Sequence, residues 1–474
     1  MASRSGVGGD ERMQAMFLTL FGILVVAAIA LHLVGRRRSI VLAGSNYAAM
    51  HSLPGYHGAW LALMTVGPAL VVLVVWSIAA PNVLRSMMLS AFSDQLTTLS
   101  RAQLDGFWRD IQVIAFGGTA GIRDALRTEA AAALTARANT STTMMVSLMA
   151  AVGIAGLLYA WKAIAPDFRA RHQVEAIVKL LLAVSATIAI LTTIGIVVSL
   201  IAESMRFFSM VSPIDFLFGL TWTPQQMAFR ADQVGGTAAF GFIPLLTGTL
   251  LITFIAMVVA APLGIMAAVY LSDYATPQVR AIGKPVLEIL AGIPTVVYGF
   301  FAALTVAPFI RNSGHAFGLD VASESALAAG VVMGIMIVPF VSSLSDDVIN
   351  AVPQSLRDGS AGLGATKSET IRRVVLPAAL PGIVSALVLA VSRAMGETMI
   401  VVMAAGLAAN LTLNPLEAVT TITVQIGTLL TGDQEFDSPK TLAAFGLGLV
   451  LFVITLSLNL VALRVVNKYR EQYD

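Results

Sequence analysis

Residues 358–377 read Asp-Gly-Ser-Ala-Gly-Leu-Gly-Ala-Thr-Lys-Ser-Glu-Thr-Ile-Arg-Arg-Val-Val-Leu-Pro, a polar island between two long apolar runs at about 324–349 and 378–404. Its residue types predict two short helices joined near Gly362 and Gly364, where the missing side chains permit a tight bend. Pro353 stands where the first could begin, and Pro377 where the second yields to the next apolar run. Arg357, Lys367, Arg372 and Arg373 accompany it. Basic loops stay on the cytoplasmic side of a membrane, so the island is expected to face the cytoplasm.

The rest of the chain supports a membrane setting. Its 474 residues are 57% hydrophobic and only 12% charged, about half the charged share of a typical soluble domain. Such a chain lacks the polar surface to face water all round. Apolar runs at about 15–35, 59–80, 143–161, 177–203, 243–271, 286–310, 324–349, 378–404 and 441–466 are each long enough to cross a bilayer. Arg36, Arg37 and Arg38 end the first as a retained helix, not a cleaved leader. Lys162, Arg169 and Arg171 follow the third, Arg280 and Lys284 the fifth, and Arg464, Lys468 and Arg470 the ninth. Loop 405–440 instead holds Glu417, Asp433, Glu435 and Asp437 against Lys440. The charge bias places the N-terminus outside and the C-terminus in the cytoplasm, consistent with an odd number of spans. There are no cysteines, and the five histidines (His32, His51, His57, His172, His315) lack metal-ligand spacing. No metal site is expected.

Two connecting segments have their own character. Residues 81–142 mix apolar and charged residues at helical spacing, among them Leu104, Phe107, Trp108, Ile111 and Leu126. This predicts a small helical extracytoplasmic unit lying on the membrane surface or docking a partner. Residues 204–242 carry Phe207, Phe208, Phe216, Phe218, Trp222 and Pro224. They read as an interfacial aromatic belt or as a docking surface for an external partner.

The eighth span contains the chemistry. It runs through Val391-Ser392-Arg393-Ala394-Met395-Gly396-Glu397-Thr398-Met399. As one continuous helix it would put Arg393 and Glu397 on the same face near mid-membrane. Charges at that depth are costly and mark a functional site by default. Arg393 offers a fork of donors suited to an oxyanion. A carboxylate repels a fully deprotonated anion, but it can accept the proton that phosphate retains near neutral pH. Sulfate has none to give. Thr398 and Ser392 add hydroxyls, and Gly396 leaves room for a neighbouring helix. The alternative is that Arg393 and Glu397 neutralise each other and lock the packing.

Residues 358–377 resemble the cytoplasmic EAA loop of ABC-importer permeases: E-A-A, three residues, G, nine residues, I-x-L-P. Asp358, Gly359 and Ser360 stand for E-A-A, Gly364 for the glycine, and Val374, Leu376 and Pro377 for the closing I, L and P. Together with Arg393–Thr398 and Ile289-Leu290-Ala291-Gly292-Ile293-Pro294-Thr295-Val296-Val297-Tyr298-Gly299, the chain resembles PstC-type permeases of bacterial phosphate ABC transporters over residues 177–474. Sulfate and molybdate permeases share the R-x-x-G-E core, so that core alone indicates an anion importer.

The resemblance implies an all-α fold: a six-helix type I permease core at 177–474, with coupling loop 353–377. Preceding it is an N-terminal extension, 1–176, of about three extra spans and the unit at 81–142. It also implies a heterodimer with a PstA-like permease, two ATP-binding subunits that hold ATP and Mg, and a periplasmic phosphate-binding protein docked on the outer loops. The chain would be a membrane subunit without a catalytic site or cofactor of its own. Gly359–Ser368 does not form a phosphate-binding loop, because Ala365 and Thr366 separate Gly364 from Lys367. Rival readings are a permease for another oxyanion (sulfate, molybdate or a phosphonate), a secondary transporter gated by Arg393 and Glu397, and a membrane sensor acting through 81–142.

Overall fold

The computed structural model describes residues 8–44, 50–96, 100–116, 124–224, 239–431 and 438–469. These form helices and a lone antiparallel bridge between Trp222 and Phe240. Among them, nine helical stretches are long and apolar enough to cross a membrane. The acidic Asp433, Glu435 and Asp437 lie outside the described residues. The chain divides into two compact units, 1–190 and 191–474.

The first unit contains α1 (Gly8–Ala43), α2 (Pro54–Ala91), α3 (Ser93–Leu96), α4 (Arg101–Ala115), α5 (Ala125–Ala163) and the start of α6 (Ala170–Met210). At 38 and 39 residues, α2 and α5 are each roughly 57 Å long, well beyond the ~30 Å hydrocarbon core. Both helices run into the segment 81–142. It is built on continuations of two spanning helices, which α4 joins. Phe107 and Ile111 of α4 pack with Met88 of α2 and with Ala130, Ala131 and Leu134 of α5. Ser100 and Gln103 close a capping box on α4. Asp124 caps α5 through the Arg127 backbone N–H, which holds the Asp124 carboxyl below its ordinary value.

The second unit continues α6 and adds α7 (Pro213–Phe218), α8 (Ile243–Val269), α9 (Pro277–Gly292), α10 (Thr295–Phe301), α11 (Ala307–Ala316) and α12 (Ala326–Asn350). Then come α13 (Gln354–Gly362), α14 (Lys367–Thr370), α15 (Leu376–Met395), α16 (Met399–Ala404), α17 (Ile422–Leu429) and α18 (Pro439–Tyr469). Its core is the α8–α12 pair. A Cβ on Gly334 would stand 2.7 Å from Val259 and 2.8 Å from the Ala256 carbonyl, so small residues set this close approach.

Two expectations change here. The aromatics of 204–242 are mostly core: Phe207 and Phe216 are fully buried, and Trp222 and Pro224 are buried too. Phe207 meets Phe216 and Phe240 edge-on at 5.3 and 5.7 Å. The Trp222 indole N–H donates to buried Gln425 at 2.9 Å. Among the described rings only Phe218, at 70% exposure, keeps the character of a surface aromatic, while Phe208 is half-buried. A belt would require these rings outside; instead α7 and the Trp222–Phe240 bridge fold them inward.

The apolar run read as one span at 286–310 is also interrupted. It divides at Ile293–Pro294 between α9 and α10, and π-helical residues Ala302–Val306 link α10 to α11. The crossing stretch is Thr295–Ala316. Pro294 supplies no N–H and biases Ile293 to extended backbone, which ends α9.

Candidate functional site

The eighth span is likewise two helices, not one. Residues Lys367–Met395 run helically through α14, a π-helical turn at Ile371–Val375 and α15. Gly396 and Glu397 then donate their backbone N–H groups three residues back, to Arg393 and Ala394, at 3.2 Å each. Those tight bonds close α15, and α16 starts at Met399. Arg393 and Glu397 therefore do not share one helical face: Arg393 is in the last turn of α15, and Glu397 lies in the break itself.

Their partners follow from the break. Arg393 occupies the last turn of α15, where a cation complements the helix dipole. Its guanidinium is exposed and lies 5.4 Å from the Phe340 ring centroid. Among the described residues it makes no ion pair. Glu397 is half-buried, and its Oε1 accepts the backbone N–H groups of Met399 at 3.1 Å and Ile400 at 3.5 Å. Its backbone carbonyl accepts from the Thr423 hydroxyl at 2.8 Å. The mutual lock considered from sequence is absent. Ser392 donates to Asn459 of α18 at 3.2 Å, and Thr398 begins the turn into α16.

The helix after the other break, α10, packs against α16. A Cβ on Gly299 of α10 would come within 2.7 Å of Met403 Sδ and 3.2 Å of the Met399 carbonyl. The Ile289–Gly299 run and the Arg393–Met399 run, far apart in sequence, thus meet through α10 and α16. Broken helices at such positions leave main-chain groups and charged ends free to face a ligand path.

The polar island forms the two predicted short elements. Pro353 precedes α13, and Gly364, at φ +84°, turns the chain into α14. Asp358 accepts from Gln354 at 2.9 Å, and the Ser360 and Thr370 hydroxyls meet at 2.9 Å across the bend. Gly359 is exposed, Val374 and Leu376 are half-buried, and Pro377 is exposed. Pro377 does not end a helix. It sits at the start of α15, and the π-helical turn before it accommodates the missing donor. Leu363, at the tip, is 91% exposed.

Sequence reading missed the charges behind this loop. Arg357 of α13 pairs with Asp273, in the π-helical turn Tyr270–Tyr274 after α8, and donates to the Ile349 carbonyl at 2.9 Å. Asp346 of α12, only 4% exposed, pairs with Lys284 and Arg280 of α9. The signal for Asp346 was present: an acidic pair, Asp346-Asp347, ends an apolar span.

Nine helices able to cross a membrane, an exposed polar pair of short helices between two of them and charged residues at a helix break are features to set beside known transport permeases. Residues 260–471 match the family described as binding-protein-dependent transport system inner membrane component. Residues 20–192 match one described as phosphate ATP-binding cassette transporter. The chain is 33% identical over 279 residues to a probable ABC transporter permease, YqgH, of Bacillus subtilis, covering 58% of this chain and 86% of that protein. It is 30% identical over 293 residues to the phosphate transport system permease protein PstC of Mesorhizobium japonicum (57% and 84%). To PstC 1 of Mycobacterium tuberculosis it is 31% identical over 260 residues (50% and 75%). The chain belongs to the PstC-type family of ABC transporter permeases.

Proposed function

We propose that this chain is the permease subunit of an ATP-driven importer that moves inorganic phosphate across the cytoplasmic membrane by alternating access. The observation that carries the substrate is the break at Gly396–Thr398. It leaves the Arg393 guanidinium exposed and, among the described residues, without an ion pair, while the Glu397 carboxylate four residues on is held by the Met399 and Ile400 backbone N–H groups. Arg393 supplies charge and a donor fork to the oxyanion. Glu397 Oε2, which has no hydrogen-bond partner among the described residues, accepts the proton that phosphate retains and sulfate lacks. Thr398 and Ser392 lie on the same path. The relatives named for phosphate transport support the same reading.

In this reading a PstA-like permease completes the path. A periplasmic phosphate-binding protein delivers the anion, and two ATP-binding subunits, carrying ATP and Mg, drive the cycle. Asp358, Gly359, Ser360, Gly364, Val374, Leu376 and Pro377 form or support the element that meets an ATPase, with Leu363 as an apolar anchor at its tip. The N-terminus is outside and the C-terminus cytoplasmic, as the loop charges require.

Selectivity tests the assignment. In proteoliposomes holding the assembled complex, excess sulfate is expected to leave wild-type phosphate uptake unchanged. Glu397→Gln removes a charged acceptor worth about 1.5 kcal/mol, or roughly tenfold. Phosphate uptake should fall by that factor, and sulfate should begin to compete. Equal competition by sulfate in wild type and variant would assign Glu397 to structure and favour a less selective oxyanion permease.

A further inference from the structure

α9 and α13 contain no fully buried residue, so apolar packing alone does not fix them to the core. Charged side chains add to the packing of half-buried Leu356 of α13 against the core. Arg357 ties α13 both to Asp273 and to the last turn of α12, and both members of the pair are largely withdrawn from water, at 16% and 7% side-chain exposure. Asp346, inside α12, has its charge met by Lys284 and Arg280 of α9, which remain about one-third exposed. Asn350 joins the two centres. It donates to the Asp346 backbone carbonyl at 2.7 Å and accepts from the Ser272 hydroxyl at 3.1 Å, next to Asp273. A cleft of about 720 Å³ opens between them, with Arg280, Asn350 and Arg357 on its walls.

We propose that these two ion-pair clasps, Asp273 with Arg357 and Asp346 with Lys284 and Arg280, pass movement of α13 to α9 and thence to the helix breaks. The inference rests on the reading of this chain as an ATP-driven permease. Partly buried ion pairs are directional and have discrete alternatives, so they hold two helices in register where smooth apolar contact would let them slide. The route continues through contacts already described. α9 ends at Ile293–Pro294, α10 lies against the α16 backbone at Met399, and the Met399 N–H binds the Glu397 carboxylate. Asp273, Arg357, Asp346, Lys284 and Arg280 are thus positioning residues, acting on the site through α9, α10 and α16.

The cysteine-free chain allows a direct test in the complex purified with its ATPase. Spin labels are placed at Ile282→Cys on α9 and Val461→Cys on α18, both exposed positions. With intact clasps, ATP is expected to shift the label-to-label distance. In Asp273→Asn with Asp346→Asn the shift should disappear, and uptake per ATP hydrolysed should fall about fivefold while hydrolysis continues. If that variant does not assemble, the exchanged pair Asp273→Arg with Arg357→Asp replaces it and should retain the shift. The proposal is overturned if ATP leaves the distance unchanged with intact clasps, if the neutralised variant shifts as wild type does, or if the exchanged pair assembles and does not shift. The distance needs no cargo. A complex that shows the shift and fails to move labelled phosphate would refute the phosphate assignment and leave the clasps standing.

Discussion

Arg393→Ala is expected to lower ATP-dependent phosphate uptake by roughly 100-fold in a complex that assembles normally and still hydrolyses ATP. Arg393 is exposed in this chain, its guanidinium lies 5.4 Å from the Phe340 ring centroid, and Glu397 takes its hydrogen bonds from backbone. Removing the guanidinium therefore leaves no buried charge uncompensated, and the folding cost should stay near that of a surface change, about 0.5 kcal/mol. The transport cost is larger. A bidentate pair with an oxyanion loses two charge-assisted bonds, together about 3 kcal/mol, which is a factor of ~100 or more. Arg393→Lys keeps the charge and loses the fork, so an intermediate rate should follow. Initial rates of labelled phosphate entry, normalised to assembled complex, decide this. Wild-type rates in Arg393→Ala would remove the residue from the substrate path.

The second large effect belongs to Gly364. At φ +84° it lies in a backbone region that other residues enter only at a cost, about 1–2 kcal/mol and more for a β-branched side chain. Gly364→Val is expected to change the angle between α13 and α14 and lower uptake about 30-fold, as ~2 kcal/mol implies. ATP hydrolysis should lose its response to the cargo-loaded binding protein. Gly362→Ala is the control, because Gly362 is helical and its added Cβ would meet nothing within 4 Å. Uptake and stimulated hydrolysis measured on both variants check the prediction. Equal effects at the two positions would indicate that bulk, not backbone conformation, matters there.

The two glycines also show what sequence could and could not resolve. Both were visible as the bend between two short elements, because missing side chains at adjacent turns are a local signal. Which of them takes the left-handed conformation depends on where α13 ends, and hydrophobic patterning does not fix that. Long apolar runs likewise revealed the spans, since lipid solvation demands length and composition alone. The breaks at Ile293–Pro294 and Gly396–Thr398 escaped that reading: hydropathy is blind to a helix that stops inside an apolar run. Arg393 and Glu397 were recognisable as costly charges, but placing them on one helical face assumed a continuity that the backbone bonds of Gly396 and Glu397 interrupt. The rings of Phe207, Phe216 and Trp222 looked interfacial because aromatic composition carries no burial information until Phe240 and Gln425 arrive from distant sequence. Asp273 and Arg357, 84 residues apart, are a tertiary pair that no local pattern announces.

ATP-driven phosphate import through this chain has a plain consequence in vesicles. Labelled phosphate is followed in proteoliposomes that contain the chain with its partner permease and ATPase, with the phosphate-loaded binding protein supplied on the periplasmic face of the complex and ATP on the opposite face. Phosphate should accumulate against its gradient only when ATP is present, and the complex bearing Arg393→Ala should accumulate almost none. Equal accumulation without ATP, driven by an ion gradient alone, would rule out an ATP-driven importer and make the chain a secondary transporter.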